Sequence, residues 1–376
     1  MKFVNKYLRN LLPYKVASHK IWEVDNFNRK NILKLDWNES TIPPTPLVKE
    51  TLMKIVAQED IYSLYPSTYN EHLLQLLSNY TNLPKNNLQY FASSDSLHEY
   101  LVRMYVGVGD PILVIGPTYD NFRLTCESQG GQVSFFNYDE NFTLNFDELN
   151  VTISILTPSL IYICNPNNPT GNSIDIRQIK ILLEKYPDTL VLLDEAYFEF
   201  SRLTMAKYVL EYDNLFISRT FSKAFGLANF RIGYLISSTE NIIQISKIRN
   251  PKNVTTFAQE AAISALSDLD YMNKYVDEVN LAKSFFKNQL EQYPFIKYVY
   301  PSESNFLLIA FVSYDFKINF FNHLNRNNIF VRNLSHSNLL DNCLRITIGT
   351  LNQMKLVLEV IKDFNKKSNE SNYTRS

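Results

Sequence analysis

The sequence predicts an α/β fold in two parts: a large, doubly wound, mostly parallel sheet domain and a smaller α+β domain. Three observations carry this. The runs at 161–164 (IYIC) and 190–193 (LVLL) are apolar on both faces, as strands covered by helices on both sides must be. From about residue 70, short apolar runs alternate with helix-like stretches, the order of a doubly wound sheet. After a helical stretch from 258 to about 291 the order changes to strand, helix, strand, strand, helix, which a separate smaller layer explains. A chain of 376 residues is long enough for a sizeable core and two domains. The expected boundaries are an arm at 1–30, the large domain at 31–270 and the small domain at 271–376.

Taken in order, the arm is polar and weakly periodic and contains Pro13-Tyr14. Residues 32–38 alternate like a short strand. Helices are expected at 71–80 and 94–106, the second preceded by small polar residues. Compact apolar runs at 112–115, 133–136, 215–218 and 232–236 continue the strand series. The helical stretch after 258 has a break near Asp268-Leu269-Asp270. In the small domain, strands are expected at 305–311, 329–332 and 344–348, and helices at 316–325 and 351–365. The last ten residues are polar and expected to fray.

Bulk composition excludes several classes. Hydrophobic residues make up 45% and charged residues 20%, with a formal net charge of −1. Nothing global favours nucleic acid or an acidic membrane surface. No uncharged apolar run reaches the roughly 18 residues that span a bilayer, and the charged N-terminus does not read as a signal peptide. Cys126, Cys164 and Cys343 are far apart and lack C-x-x-C spacing, against a disulfide framework or a metal site. A cytoplasmic location fits best.

Ligands of open α/β sheets bind beyond the carboxyl ends of the strands, and three polar motifs come directly after expected strand ends. One is Asn165-Pro166-Asn167-Asn168-Pro169-Thr170-Gly171, which also reads as a plain turn. The second is Asp194-Glu195-Ala196-Tyr197; a carboxylate closing an apolar run must be paired or is costly to bury. The third is Ser218-Arg219-Thr220-Phe221-Ser222-Lys223-Ala224-Phe225-Gly226, ahead of Arg231-Ile232-Gly233-Tyr234. A lysine there can form a Schiff base with an aldehyde cofactor, with a hydroxyl and a guanidinium nearby for its phosphate. Ser93-Ser94-Asp95-Ser96 precedes a helix, whose first N–H groups and dipole favour a phosphate; the same run would serve as a simple N-cap.

Together these motifs resemble those of the histidinol-phosphate aminotransferase family, fold-type I transferases dependent on pyridoxal 5′-phosphate (PLP), over nearly the whole chain. The resemblance implies catalytic roles for Lys223, Asp194 and Tyr197. Lys223 would carry the cofactor and, once freed, shuttle a proton as general base. Asp194 would keep the pyridine nitrogen protonated, making the ring an electron sink. Asn168 and Tyr197 would bond the phenolic oxygen, and Tyr119 would stack on the ring. Ser93, Ser94, Asp95, Ser222 and Arg231 would form the phosphate cup. Tyr65, in Tyr65-Pro66, would reach the cofactor phosphate of a neighbouring subunit, which implies a two-fold homodimer.

The substrate side of the resemblance comprises Tyr14, Asn38 in Leu35-Asp36-Trp37-Asn38-Glu39, and two arginines, Arg332 and Arg345. Arginine binds carboxylate or phosphate oxygens in pairs and stays charged. Relatives usually carry Gly at the Ser93 position and an acidic residue at Ser96. These departures, with Trp37 and Ser40, point away from strict histidine biosynthesis. The expected reaction transfers an amino group from L-glutamate, leaving 2-oxoglutarate, to a small phosphorylated ketone. Imidazole acetol phosphate is one candidate, and dihydroxyacetone phosphate, giving serinol phosphate, another. Decarboxylation of an O-phospho-amino acid uses the same electron sink and stays open. A catalytically silent binding protein would be expected to lack one of the key groups.

Overall fold

Twelve strands organise the chain in a computed structural model that describes residues 4–9, 11, 20–23, 31–334 and 338–373. They are β1 (Leu33–Leu35), β2 (Leu88–Phe91), β3 (Pro111–Gly116), β4 (Gln132–Asn137), β5 (Leu160–Cys164), β6 (Leu190–Asp194), β7 (Leu215–Thr220), β8 (Gly233–Ile236), β9 (Ile296–Val299), β10 (Phe306–Phe311), β11 (Ile329–Asn333) and β12 (Cys343–Thr347). The chain divides into two units. One gathers Pro43–Asn168 and Asn172–Met272; the other gathers the segment ending at Ile42, Pro169–Gly171 and the chain from Asn273 onward.

The first unit is built on a seven-stranded sheet in the order β2-β8-β7-β6-β5-β3-β4. The pairs from β7 through β4 are parallel, and β8 runs against both its neighbours. Every residue of β5, β6 and β7 is buried, which is why β5, and β6 up to Asp194, are apolar without alternation, while β7 is apolar only over Leu215–Ile217. The helices on the faces obey ordinary amphipathic logic. In Ile176–Lys185, Ile179, Leu182 and Leu183 are buried on one side, and Asp175 caps the start by accepting from the Arg177 N–H.

The second unit holds a five-stranded sheet in the order β1-β11-β12-β10-β9. The sequence places β1 at the start of the large domain; it instead pairs in parallel with β11, with Leu33 opposite Ile329 and Leu35 opposite Val331. Three residues are too few to stand as an independent strand, and pairing lets Leu35 be fully buried. The expected fraying of the last ten residues is also revised, because the final helix runs Leu351–Tyr373. No Pro or Gly interrupts that stretch, and Glu359–Lys362 and Asp363–Lys367 pairs line its exposed side. No helix among the described residues is long and apolar enough to cross a membrane.

Beneath the seven-stranded sheet lies an ionic cluster. The Arg219 guanidinium, only 1% exposed as a residue, donates to Glu195 Oε2 from Nε at 2.9 Å and Nη2 at 2.8 Å, and from Nη2 to Thr204 Oγ1 at 2.6 Å. It stacks on Phe198 with 3.6 Å to the ring centre. A second buried carboxyl, Glu199, accepts from the Tyr80 hydroxyl at 3.2 Å. Burial pushes Glu199 up from 4.5 to about 7, with the Arg219 charge pulling the other way.

Between about pH 4.5 and about pH 7 the folded state therefore holds a proton on Glu199 that the unfolded chain has released, so stability falls as pH rises through that window. Glu199→Gln removes this titration. The variant should gain stability over the parent as pH rises, by up to about 1.4 kcal/mol per unit, in chemical denaturation measured from about pH 5 to about pH 8. Parallel pH–stability curves would rule this out.

Candidate active site

Parallel strands deliver their carboxyl ends to one edge of a sheet. Cys164, Asp194 and Ser218 are register neighbours across β5, β6 and β7. The three chain segments leaving that edge are tied to one another: the Asn165 N–H donates to the Asp194 carbonyl at 2.9 Å, and the Glu195 N–H to the Ser218 carbonyl at 2.9 Å.

Asp194 is buried. Its Oδ2 accepts from the Tyr162 hydroxyl at 2.9 Å and its Oδ1 from the Ala196 N–H at 3.1 Å. Tyr197 comes next, also buried, with Lys223 Nζ 5.8 Å from its ring centre. Lys223 is half-buried in a turn closed by the Gly226 N–H on the Lys223 carbonyl. Gly226, at φ 71°, supplies the left-handed residue this turn requires. At the start of the turn, Thr220 Oγ1 accepts from the Ser222 N–H at 3.1 Å and donates to Ser222 Oγ at 2.9 Å.

The helix Ser94–Tyr105 begins beside this turn. Ser93 caps it, accepting from the Ser96 N–H. Gly233, register neighbour of Thr220 on one side and Phe91 on the other, lets the backbone pass close: a Cβ there would lie 2.6 Å from the Arg219 carbonyl oxygen and 2.9 Å from the Ser94 nitrogen. The Asp95 carboxylate gathers the Tyr119 hydroxyl at 3.2 Å, the Asn121 amide at 3.4 Å and the exposed Arg231 guanidinium at 3.2 Å. Thus Ser93, Ser94, Asp95, Tyr119, Ser222 and Arg231 share one corner of the seven-stranded unit.

Asn167 ties the 165–168 loop to the turn after β3. Its Oδ1 accepts from Thr118 Oγ1 at 2.7 Å and its Nδ2 donates to the Pro117 carbonyl at 2.9 Å. Asn168, the next residue, is half-buried. Tyr65 is 79% exposed, its ring 4.4 Å from Lys252 Nζ. In the five-stranded unit, Arg332 and Arg345 face each other directly across the antiparallel β11–β12 pair. Arg345 is buried, donates from Nη2 to the Asp36 carbonyl at 2.6 Å and lies over Phe306. Asn38, at φ 57°, is fixed by Thr347, with Oδ1 accepting from Thr347 Oγ1 at 3.1 Å, and its carbonyl accepts from Asn305 Nδ2 at 3.0 Å. Tyr14 lies outside the described residues.

Sequence reasoning missed Tyr162 and His98. Tyr162 sits in an apolar run and reads as core; His98 Nε2 lies 2.9 Å from Ser218 Oγ, both buried. Only the direction of these side chains marks them, and that requires the fold.

Gly233→Ala would drive a methyl into the Arg219 carbonyl and the Ser94 nitrogen. Overpacking against backbone costs about 1–3 kcal/mol, so the variant should unfold at lower denaturant. An unchanged midpoint would show that the Ser93–Ser94 turn gives way freely.

Residues 30–361 match the family model described as aminotransferase class I and II. A dihydroxyacetone phosphate transaminase of Campylobacter jejuni is 43% identical over 96% of this chain and 97% of its own. A histidinol-phosphate aminotransferase of Ruminiclostridium cellulolyticum is 32% identical over 95% of this chain and 97% of its own. The fold also matches a histidinol-phosphate aminotransferase from Sinorhizobium meliloti solved with pyridoxal-5′-phosphate, with a TM-score of 0.85 at 24% identity, covering 97% of this chain and 99% of that one. With its polar motifs leaving one edge of the seven-stranded sheet and its likeness extending nearly end to end, the chain belongs to the aminotransferase class I and II family, on its histidinol-phosphate aminotransferase-like side, and is a PLP-dependent aminotransferase.

Proposed function

We propose that the enzyme moves an amino group from L-glutamate to the carbonyl of a small phosphorylated ketone, with dihydroxyacetone phosphate the first candidate and serinol phosphate and 2-oxoglutarate the products. The observation that carries this is the 43% identity to a dihydroxyacetone phosphate transaminase, against 32% to a histidinol-phosphate aminotransferase at similar coverage.

The donor set of the seven-stranded unit fits PLP part by part. The buried Asp194 carboxylate, already holding two donors, suits a protonated ring nitrogen. The helix start opened by Gly233, with Ser93, Ser94, Ser222 and Arg231, suits the phosphate. Asn168 and Tyr197 would bond the phenolic oxygen, Tyr119 would cover the ring, and Lys223 would hold the aldehyde carbon. When bound, PLP supplies an electron sink for charge at the substrate Cα.

The chain supplies the rest. The Lys223 amine would move the proton between the substrate Cα and the cofactor's aldehyde carbon, as general base and then acid. Asp194 would hold the proton of the ring nitrogen in place. Arg332 and Arg345 would bind the phosphate of one substrate and a carboxylate of the other, and Asn38 would help orient them. Two copies of the chain would form the active unit, with the exposed Tyr65 of each serving the other's cofactor phosphate. A reducing, cytoplasmic setting suits three buried, free cysteines.

Purified enzyme given glutamate and a panel of phosphorylated ketones should form 2-oxoglutarate fastest with dihydroxyacetone phosphate. Borohydride treatment should fix the cofactor's mass on the peptide carrying Lys223, and Lys223→Ala should abolish both results. Turnover of unphosphorylated keto acids alone would sink the substrate reading. Carbon dioxide released from an O-phospho-amino acid without glutamate consumption would replace it with decarboxylation.

A further inference from the structure

Tyr162 is an odd tenant of β5. Its residue is fully buried among apolar neighbours, yet its hydroxyl is directed at a carboxylate. The register explains the reach. Tyr162 is level with Leu192, and residues 192 and 194 of β6 share a face because side chains alternate along a strand. A tyrosine one step back on the neighbouring strand thus carries its hydroxyl forward to Asp194 Oδ2, at 2.9 Å. The ring has little freedom to do otherwise. Phe122 stacks on it at 4.3 Å between centres and 12° between planes, and His98 meets it edge-on at 5.8 Å.

We infer that Tyr162 is a positioning residue that holds Asp194 as an oriented anion for the cofactor's ring nitrogen. The inference rests on the reading of Asp194 as that nitrogen's partner. A carboxylate at the end of an apolar strand is costly to keep ionised unless donors surround it. Tyr162 gives one donor from the sheet and the Ala196 N–H gives another from the turn. Together they fix the plane of the carboxylate, one donor on each oxygen. Burial, reinforced by the Asp194 charge, holds the phenol well above its ordinary range, so it keeps its proton and donates. Without that hydroxyl one carboxylate oxygen loses its donor and the group is free to turn. The carboxylate would then face the ring nitrogen less squarely, its proton would be held less firmly there, and the ring would become a poorer electron sink.

The test uses the full chain loaded with PLP, or with a PLP analogue carrying carbon in place of the ring nitrogen. Tyr162→Phe keeps the ring and its stacking and removes one oxygen. A hydrogen bond to a charged group sets the scale: the variant should bind PLP about ten-fold more weakly, while its affinity for the carbon analogue should change by less than about two-fold. In the Asp194→Asn background the same substitution should cost less than about two-fold for PLP as well. With PLP labelled by nitrogen-15, the ring signal of the Phe variant should move toward that of an unprotonated pyridine. Equal weakening for both cofactors would reduce Tyr162 to a packing residue and overturn the inference, as would no weakening of either. If the parent enzyme takes up the analogue and PLP equally well and shows an unprotonated ring, the reading of Asp194 fails and the inference with it; that outcome is visible before any Tyr162 variant is made.

Discussion

The buried pair of Arg219 and Glu195 fixes the relation between the two segments on which the site depends. Both residues adjoin polar positions of the site: Glu195 comes after Asp194, and Arg219 after Ser218. Neighbouring side chains along a strand point to opposite faces. The ion pair therefore grips the segment after β6 and strand β7 from the face opposite Ser218. Two guanidinium nitrogens meet one carboxylate oxygen, while Glu195 Oε1 accepts from the Met205 N–H at 2.8 Å. Replacing such a pair with apolar residues is often neutral for stability, so stability alone explains it poorly. Its geometric consequence is clearer: the ends of the two strands cannot shift in register without stranding a buried charge.

That fixed edge produces a division of labour among loops. The segment after β5 is tied to the end of β6, and the segment after β6 to the end of β7. Asn167 binds the first of these to the turn after β3. Gly233 then lets β8 press the start of the Ser94–Tyr105 helix toward the lysine turn. Each loop is polar and irregular, but none is positioned by itself. The parallel sheet makes one edge, and backbone hydrogen bonds together with the Asn167 side chain hold the loops to it.

The same dependence on the sheet separates what is legible in the sequence from what is not. β5, β6 and the first half of β7 are legible because strands buried on both faces lose alternation and become plain apolar runs. Asp194 and the polar loops that carry Asn168 and Lys223 stand out as candidates because polar residues closing such runs have few other reasons to be there. β1 is misplaced because three residues, Leu33-Lys34-Leu35, say nothing of a partner found only at β11. Arg219 stands closer to the lysine turn in sequence than Arg231 does, yet the pleat sends it beneath the sheet while Arg231, at φ 51°, turns back to Asp95. Tyr162 is invisible for the opposite reason. It is a core residue, and its second task resides wholly in where one oxygen points.

The five-stranded unit poses a different electrostatic question. Arg332 and Arg345 stand directly opposite on an antiparallel pair, and like charges so placed are unfavourable. Arginine cannot relieve this by losing its proton. Such a pair is useful where anions come and go. Transamination of the proposed kind has two substrates, taken in turn, that share little beyond negative charge: a phosphate on one and a side-chain carboxylate on the other. Paired guanidinium forks accept either anion with the same donors. A single cationic pair would thereby admit both partners of the exchange, leaving discrimination between ketones to the uncharged part of the substrate.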